Sequence, residues 1–153
     1  MSRIQLALNV SNLDEAIDFY STLFRATPAK ICPGYANFAI DEPPLKLVLI
    51  EGVGESGSIN HLGVEVFSTE EVAEATNYLS AAGLKTDVED QTTCCYAVQD
   101  KVWVTSPDGN RWEVYTVLAD APEATSIGST TDSATPCCAD TSASEIVAAA
   151  SCC

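Results

Sequence analysis

Six of the seven cysteines in this sequence form three adjacent pairs. The pairs are Cys94-Cys95, Cys137-Cys138 and Cys152-Cys153, and Cys32 stands alone beside a proline. Adjacent cysteines close a strained ring when they are oxidised, so a structural disulfide within a pair is not expected. Thiolates are instead nucleophiles and ligands for soft metal ions. The pairs therefore indicate metal binding or thiol chemistry, whereas Cys32 is predicted to pack in the core.

The charge and length of the chain exclude several classes of protein. The formal charge is −15, from 22 acidic and 7 basic residues, so we expect neither nucleic acid nor an anionic membrane as a partner. The first ten residues alternate between polar and apolar, which favours a strand over a secretory signal, and no apolar run is long enough to span a bilayer. These features predict a cytoplasmic, globular protein.

The elements that must position any reactive residues follow a regular order from the start of the chain. The stretch "RIQLALNV" alternates as a strand, and "SNLDEAIDFYSTLFR" predicts a helix capped by Ser11. Three shorter strands are predicted near residues 29–32, 35–40 and 45–51, with Pro-Gly and Pro-Pro turns between them.

The same order then recurs. "INHLGVEV" is typical of a strand, Ser68 and Glu71 stand at capping-box spacing for a helix that ends at Gly83, and strands are predicted near 84–89, 95–104 and 111–118. When "QLALNVSNLDE" is aligned with "HLGVEVFSTEE", Gln5 lies over His61. The sequence therefore predicts an α+β fold of two tandem βαβββ modules, residues 1–56 and 57–118, in one domain of residues 1–118.

Residues 119–153 differ in composition from the rest of the chain. They are rich in Ala, Ser and Thr and contain five acidic residues but no Lys or Arg. Such a segment buries too little apolar surface to offset the entropy of ordering it, so a disordered, low-complexity tail is predicted. Its cysteines, Cys137, Cys138, Cys152 and Cys153, could capture a thiophilic ion or have no function.

Strand alternation sorts the polar side chains between the two faces of the sheet. Successive strand residues point to opposite faces, so Gln5 lies opposite the apolar residues of its strand. By the same rule His61 lies opposite Leu62, and Glu113 shares a face with Tyr115. Gln5, His61 and Glu113 are thus predicted on the face that the helices leave open. Taken singly, they are equally typical of a half-buried histidine, a solvated carboxylate and an amide at a sheet edge.

Together these motifs resemble a known superfamily. The doubled module, Gln5 in the first strand, "NHLGVEV" at the start of the second module and "SPDGNRWEVY" in the last hairpin are similar to the vicinal oxygen chelate superfamily of glyoxalases, extradiol dioxygenases and bleomycin-resistance proteins. The resemblance covers nearly all of residues 1–118. It implies two half-barrels that enclose a divalent metal, with the ligands Gln5, His61 and Glu113.

The chemistry of these three side chains suits that role. An imidazole nitrogen, a carboxylate and an amide oxygen fit a borderline or hard divalent ion, and three protein ligands leave coordination positions open. Glyoxalase-like members add a carboxylate from the fourth strand of the first module, where we expect Leu49 here. Its absence favours an Fe(II) site, although Gln5 replaces one of the usual two histidines and another divalent metal is an alternative.

The pair Cys94-Cys95 carries a narrower resemblance. "TTCCYA" followed by "DKVWV" is similar to the carbon–arsenic lyase branch of the superfamily, which includes cadmium-induced proteins. That branch implies an Fe(II)-dependent dioxygenase that uses O2 to cleave trivalent organoarsenicals such as methylarsenite, with arsenic held by Cys94 and Cys95. Trivalent arsenic is soft and prefers thiolates. We expect the pair to be exposed on a loop before the seventh strand, with Tyr96, Trp103 and Tyr115 lining the cavity.

Other interpretations of these motifs remain open. The pair could simply be two small apolar residues at the start of a strand. The protein could also sequester cadmium or arsenic without catalysis. A glyoxalase-type isomerase is a third hypothesis, but it needs a fourth carboxylate and a basic pocket, and Leu49 and the acidic composition argue against both. Either a monomer or a homodimer is compatible with the sequence.

Overall fold

The computed structural model describes residues 2–94 and 96–121. The elements are β1 (Arg3–Val10), α1 (Leu13–Phe24), β2 (Lys30–Cys32), β3 (Tyr35–Ile40), β4 (Leu45–Glu51), β5 (Ile59–Glu65), α2 (Thr69–Ala81), β6 (Asp87–Cys94), β7 (Ala97–Thr105) and β8 (Arg111–Asp120). This order confirms the predicted α+β fold of two βαβββ modules. Strand β8 continues to Asp120, so the predicted tail does not begin at residue 119, and residues 122–153 lie outside the described residues.

Helix α1 begins one residue later than its sequence suggests. Its N-cap is Asn12 and not Ser11, because the Asn12 side chain accepts a hydrogen bond of 3.0 Å from the backbone N–H of Glu15. Both residue types favour this position, and only the backbone geometry distinguishes them.

Helix α2 begins and ends as its sequence predicts. The Ser68 hydroxyl accepts from the backbone N–H of Glu71 at 3.2 Å, and the Glu71 carboxylate accepts from the N–H of Phe67 at 2.9 Å. Gly83 follows the helix with a φ of +84°, a conformation that favours glycine.

The eight strands form one sheet in the order β2-β3-β4-β1-β5-β8-β7-β6. Strands β1 and β5 pair antiparallel at its centre, and each pairs in parallel with the last strand of its own module, β4 or β8. The two modules therefore join within a single chain, and the sheet curls around the side that carries the polar residues. Over the described part of the chain, neither helix is long and apolar enough to cross a bilayer.

The two helices cover the apolar face of this sheet. Helix α1 packs on the first module through Leu13, Ile17 and Tyr20, against Phe38 and Leu49 among others. On the second module, α2 contributes a smaller cluster, which consists of Val64, Val66, Val72, Ala75, Leu79, Val102 and Val114. Because both helices lie on one face, the opposite face is left to form a cavity.

Candidate metal centre and substrate cavity

Side chains from three strands converge on the open face. The Nε2 atom of Gln5 in β1 lies 3.0 Å from Nε2 of His61 in β5 and donates to Oε1 of Glu113 in β8 at 2.6 Å. The Nε2 atom of His61 lies 3.3 Å from the same carboxylate oxygen. Each residue is about 4% exposed. The structure thus brings together the three side chains that the sequence selects from distant positions.

Strand register explains how Gln5 and Glu113 reach each other across an intervening strand. Gln5 is paired with Gly63 of β5, and Gly63 is paired with Glu113 of β8. A Cβ atom at Gly63 would lie 3.0 Å from Cγ of Glu113 and 3.3 Å from Cβ of Gln5. The missing side chain of Gly63 therefore leaves the space in which its two neighbours meet.

A chain of amide side chains orients the His61 ring. Because the amide nitrogen of Gln5 donates, Nε2 of His61 accepts and the ring proton resides on Nδ1. Nδ1 donates to the Asn60 side-chain oxygen at 2.7 Å, and the amide nitrogen of Asn60 donates to Asn9 at 3.0 Å. Asn9 in turn donates to the hydroxyl of Ser58 at 2.9 Å. This tautomer directs the lone pair of Nε2 toward Glu113, as a metal ligand requires.

Glu113 is held in its ionised form. Burial raises the pKa of its carboxyl group, but the His61 ring when it is protonated, the charge of Lys101 and the hydrogen bond donated by Gln5 outweigh burial, so the pKa lies below its ordinary value. The Nζ atom of Lys101, a residue only 1% exposed, lies 3.4 Å from Oε2 of Glu113. This Oε2 atom is buried and has no hydrogen-bond partner in the described part of the chain. A buried, ionised and incompletely satisfied oxygen beside a bare imidazole nitrogen is suited to a cation.

Tyr115 fixes the orientation of the Gln5 amide. Its hydroxyl donates to Oε1 of Gln5, so the amide nitrogen faces His61 and Glu113. A half-turn of this amide would exchange its two ends and present the oxygen instead, and the Tyr115 hydroxyl could then accept from the nitrogen. Burial, together with the charges of Glu65 and Glu113, raises the pKa of Tyr115 well above its ordinary value. The hydroxyl is therefore neutral and available in either role.

The donor set fits a divalent metal through these three residues. It supplies one imidazole nitrogen, one carboxylate and, after the amide turns, one amide oxygen. No group of three or more His, Cys, Asp or Glu side chains gathers into a metal-binding arrangement among residues 2–94 and 96–121. Gln5 is the third polar side chain that contacts both His61 and Glu113.

The three side chains lie in a cavity of about 200 Å³. Its walls come from both modules and are formed by Gln5, Ala29, Lys30, Tyr35, Asn37, Lys46, Val48, His61, Cys94, Ala97, Gln99, Lys101, Glu113, Tyr115, Val117 and Asp120. Tyr115 lines the cavity as predicted, but Tyr96 and Trp103 are not among its wall residues. Trp103 lies edge-on to the His61 ring at 5.5 Å, and Tyr96 packs against Tyr35 at 5.7 Å, so both support wall residues instead.

Cys94 also lines this cavity, but in a different setting from the predicted one. Strand β6 extends to Cys94, which pairs with Ala97 of β7 and is only 1% exposed, so it does not lie on an exposed loop. The sequence predicted that this strand ends near residue 89. In the structure β6 continues to Cys94, whose side chain points into the cavity. Cys94 is disulfide-bonded in the structure, so a reaction of its thiol requires the reduced form. Cys95 and the four tail cysteines lie outside the described residues.

Comparison with known proteins agrees with this architecture. Residues 3–114 match the family described as the Glyoxalase/Bleomycin resistance protein/Dioxygenase superfamily. The chain belongs to this superfamily.

Two curated relatives and one solved structure illustrate the range of the superfamily. The chain is 64% identical to the "Cadmium-induced protein CadI" of Mycobacterium tuberculosis over 121 residues, 79% of this chain and 80% of the relative. It is 61% identical to the "Trivalent organoarsenical cleaving enzyme" of Thermomonospora curvata over 122 residues, 79% and 81% of the two chains. An extradiol ring-cleaving dioxygenase from B. fuscum shares the fold, with a TM-score of 0.58, 19% identity, and coverage of 78% of this chain and 34% of the other.

The resemblance implies a position in β4 at which glyoxalase-like members carry an additional carboxylate. In this chain that position corresponds to Val48 and not to Leu49. Ala7 pairs with Val48 in the first module as Gly63 pairs with Glu113 in the second, so Val48 is the counterpart of Glu113. Val48 lines the cavity, whereas Leu49 is fully buried against α1. A register error of one residue moves a strand side chain to the other face. The correct position is still apolar.

The walls of the cavity are more basic than the overall composition suggests. Lys30, Lys46 and Lys101 all line it, and the chain has only one further lysine. The expectation that the protein lacks a basic pocket is therefore wrong, because net charge describes the whole surface and not one concave part of it. These lysines were not predicted from the sequence, although alternation from Trp103 along β7 places Lys101 and Gln99 on the cavity face.

Proposed function

We propose that the protein is an Fe(II)-dependent dioxygenase that cleaves the carbon–arsenic bond of trivalent organoarsenicals such as methylarsenite and releases arsenite. The observation that carries this proposal is that Cys94 lines the same cavity as Gln5, His61 and Glu113. A thiophilic element and a hard or borderline metal ion could thus be held within one cavity. Identity of 61% to a trivalent organoarsenical cleaving enzyme supports the same activity.

Gln5, His61 and Glu113 would hold the metal. When bound, Fe(II) would supply a site at which O2 is activated beside the substrate. Asn60 keeps the proton of His61 on Nδ1 and so leaves Nε2 available, while Lys101 keeps Glu113 ionised. Neighbouring residues thus set the tautomer of His61 and the charge of Glu113.

Cys94, with Cys95, would hold the arsenic atom. Methylarsenite has two exchangeable oxygen ligands and one methyl group, so two thiolates can replace the oxygen ligands and leave the carbon–arsenic bond intact. Because Cys94 is almost fully buried and lines the cavity, arsenic bound there would lie in the same cavity as the candidate metal ligands. The thiol must first be reduced.

The atoms of the reaction balance without a further reductant. One methylarsenite and one dioxygen together contain the atoms of one arsenite and one formaldehyde. The carbon–arsenic bond breaks, the carbon is oxidised by O2, and the arsenic remains trivalent. Formaldehyde is therefore the expected companion product, and no external electron donor should be consumed.

The proposal is tested with purified full-length protein, reduced with a phosphine and loaded with Fe(II). Methylarsenite is added in air and, in a parallel sample, under argon, and the arsenic species are separated and quantified. We expect arsenite and formaldehyde in equal amounts only in air. Intact methylarsenite in both samples would overturn the proposal.

Matched cysteine variants identify the arsenic ligand. Cys94→Ser should abolish methylarsenite binding and cleavage, because a hydroxyl is a poor ligand for a soft element. Cys32→Ser is the control: this cysteine belongs to β2 and is not a wall residue of the cavity, so turnover should be retained. Equal loss in both variants would remove the specific role of Cys94.

A second candidate function is sequestration of cadmium or arsenic without catalysis. The observation in its favour is 64% identity to a cadmium-induced protein. Sequestration requires only the thiols, so His61→Ala would leave cellular tolerance of the metalloid intact. The dioxygenase requires His61, and the same variant would abolish tolerance of methylarsenite while the protein still binds it.

A further inference from the structure

Positive charge is concentrated in the cavity of an otherwise acidic protein. The chain carries a formal charge of −15 and four lysines, three of which line the cavity. Lysines on a solvated surface need no explanation, but Lys101 is 1% exposed and the side chain of Lys46 is 15% exposed. Burying charged groups costs free energy, which suggests that the arrangement serves a ligand.

The ion pairs in and around the cavity leave one positive charge in excess. Lys101 pairs with Glu113, and Lys30 pairs with the exposed carboxylate of Asp120. Arg3 and Lys46 share the single carboxylate of Glu65. Among the wall residues in the described part of the chain, three lysines thus face the two carboxylates of Glu113 and Asp120, and a divalent metal at Glu113 would increase the excess.

Lys46 has to share the carboxylate of Glu65 with Arg3. Arg3 contacts the Oε2 atom of Glu65 closely, whereas Nζ of Lys46 lies 3.4 Å from Oε1. Lys46 is also the cross-strand partner of Gln5, which places it beside the candidate metal centre on the first-module side. An anion in the cavity would thus meet an incompletely paired ammonium group close to the reacting atoms.

The size and polarity of the remaining cavity fit a ring with a polar substituent. An apolar cavity of about 150 Å³ holds benzene, and this cavity measures about 200 Å³. A methyl group on arsenic would leave most of it unfilled. Gln99 faces the same space and is 8% exposed, and no hydrogen bond within residues 2–94 and 96–121 involves its side chain. The amide of Gln99 is therefore available to donate a hydrogen bond to a ligand in the cavity.

We propose that the cavity selects aryl arsenicals whose ring carries an anionic group, such as a carboxylate, with Lys46 as the main contact and Gln99 as a hydrogen-bond donor. This inference rests on the proposed function for the identity of the arsenic-binding end. The lysines determine which organic group is preferred, and they act independently of the thiols that bind arsenic.

The test compares two substrates of the same size that differ in charge. These are 4-carboxyphenylarsenite and 4-carbamoylphenylarsenite, titrated under argon into the reduced, Fe(II)-loaded protein and followed by calorimetry. We expect the carboxylate to bind at least about tenfold more tightly, because a hydrogen bond to a charged group is stronger than one between neutral groups. Equal dissociation constants would overturn the proposal.

Lysine variants assign the preference to a residue. In Lys46→Met the ratio of the two dissociation constants should fall to within about twofold, and Lys46→Gln provides the same comparison if the methionine variant does not fold. Lys85→Met is the matched control, since Lys85 is exposed and is not a wall residue of the cavity. A ratio that persists in both Lys46 variants would overturn the role of Lys46.

Turnover in air separates the two proposals. Preferential binding without release of arsenite would contradict the dioxygenase and leave the anion site standing. If arsenite is released from both substrates and their dissociation constants are equal, the anion site is contradicted and the dioxygenase stands.

Discussion

The two modules have the same topology, but they present different chemistry to the cavity. Gln5 in the first module corresponds to His61 in the second, and Val48 corresponds to Glu113. The first module thus contributes a neutral amide, a valine and, from the same strand as Val48, a lysine. The second module contributes the imidazole and the carboxylate that would bind a cation.

This difference shows which properties a repeated module can keep. The helix-covered faces of both modules are apolar, since each must bury its helix, and hydrophobic burial is not directional. The cavity faces meet around one space and can therefore divide the binding of a single substrate between them. The second module supplies the two ionisable candidate metal ligands, and the first supplies Lys46, the proposed contact for the charged end of the substrate.

The largest effect should follow from removing the carboxylate of the second module. Glu113→Ala should weaken binding of Fe(II) or Mn(II) by more than the roughly 10–100-fold that loss of an outer-shell partner costs. Metal affinity is measured by competition with a chelator. The variant also leaves Lys101 buried without its counter-charge, which should lower thermal stability.

The double variant Glu113→Ala/Lys101→Met separates these two effects. It should recover much of the lost stability, because the uncompensated charge is gone, but none of the metal affinity. Recovery of metal binding in the double variant would show that Glu113 acts through folding alone.

A smaller effect should follow from making the first module resemble the second. Val48→Glu places a carboxylate at the counterpart of Glu113, as in glyoxalase-like members. We expect divalent metal to bind about tenfold more tightly and to stabilise the variant more than the parent, because a fourth ligand is added and a buried charge is neutralised. Cleavage of methylarsenite should become slower, since one open position is lost. Val48→Gln, which adds an amide without charge, is the matched control.

The substitution Gly63→Ala tests how closely the side chains of Gln5 and Glu113 must approach at the centre of the sheet. Gly63→Ala should force Gln5 and Glu113 apart, because the new Cβ would lie 3.0 Å from Cγ of Glu113. The expected loss of unfolding free energy is about 1–3 kcal/mol, as for other overpacked sites, with weaker metal binding, measured by chemical denaturation and chelator competition. Ala7→Gly makes the opposite change at the equivalent first-module position and should leave metal affinity nearly unchanged.

The smallest effect concerns the pH dependence of stability through Tyr35. Burial raises its pKa from 10.0 to about 12; the hydrogen bond donated by Asn37 opposes this rise, and Cys32, Glu113 and Glu65 add smaller increases. The folded state therefore prefers the neutral phenol, so this contribution to stability is complete below pH 10 and is lost as the pH rises toward 12. Denaturation at several pH values should show the decline, and Tyr35→Phe should reduce it. An unchanged profile in Tyr35→Phe would contradict this assignment.

Local periodicity in the sequence was sufficient to predict most of the fold. The alternation of strand residues placed Gln5, His61 and Glu113 on the open face, because a period of two needs no knowledge of distant partners. The capping residues of α2 were equally local. Where several local solutions are comparable, as at Ser11 and Asn12, the sequence did not decide between them.

The sequence by itself determined the repeated modules and the polar face of the sheet, because both arise from interactions between residues a few positions apart. Only the tertiary structure decided which residues share the cavity. Strand register selected Val48 over Leu49, buried Cys94 at the end of β6, and gathered three lysines in an acidic chain. Register depends on pairing between distant strands, and a shift of one residue reverses every side chain, so local patterns cannot fix it.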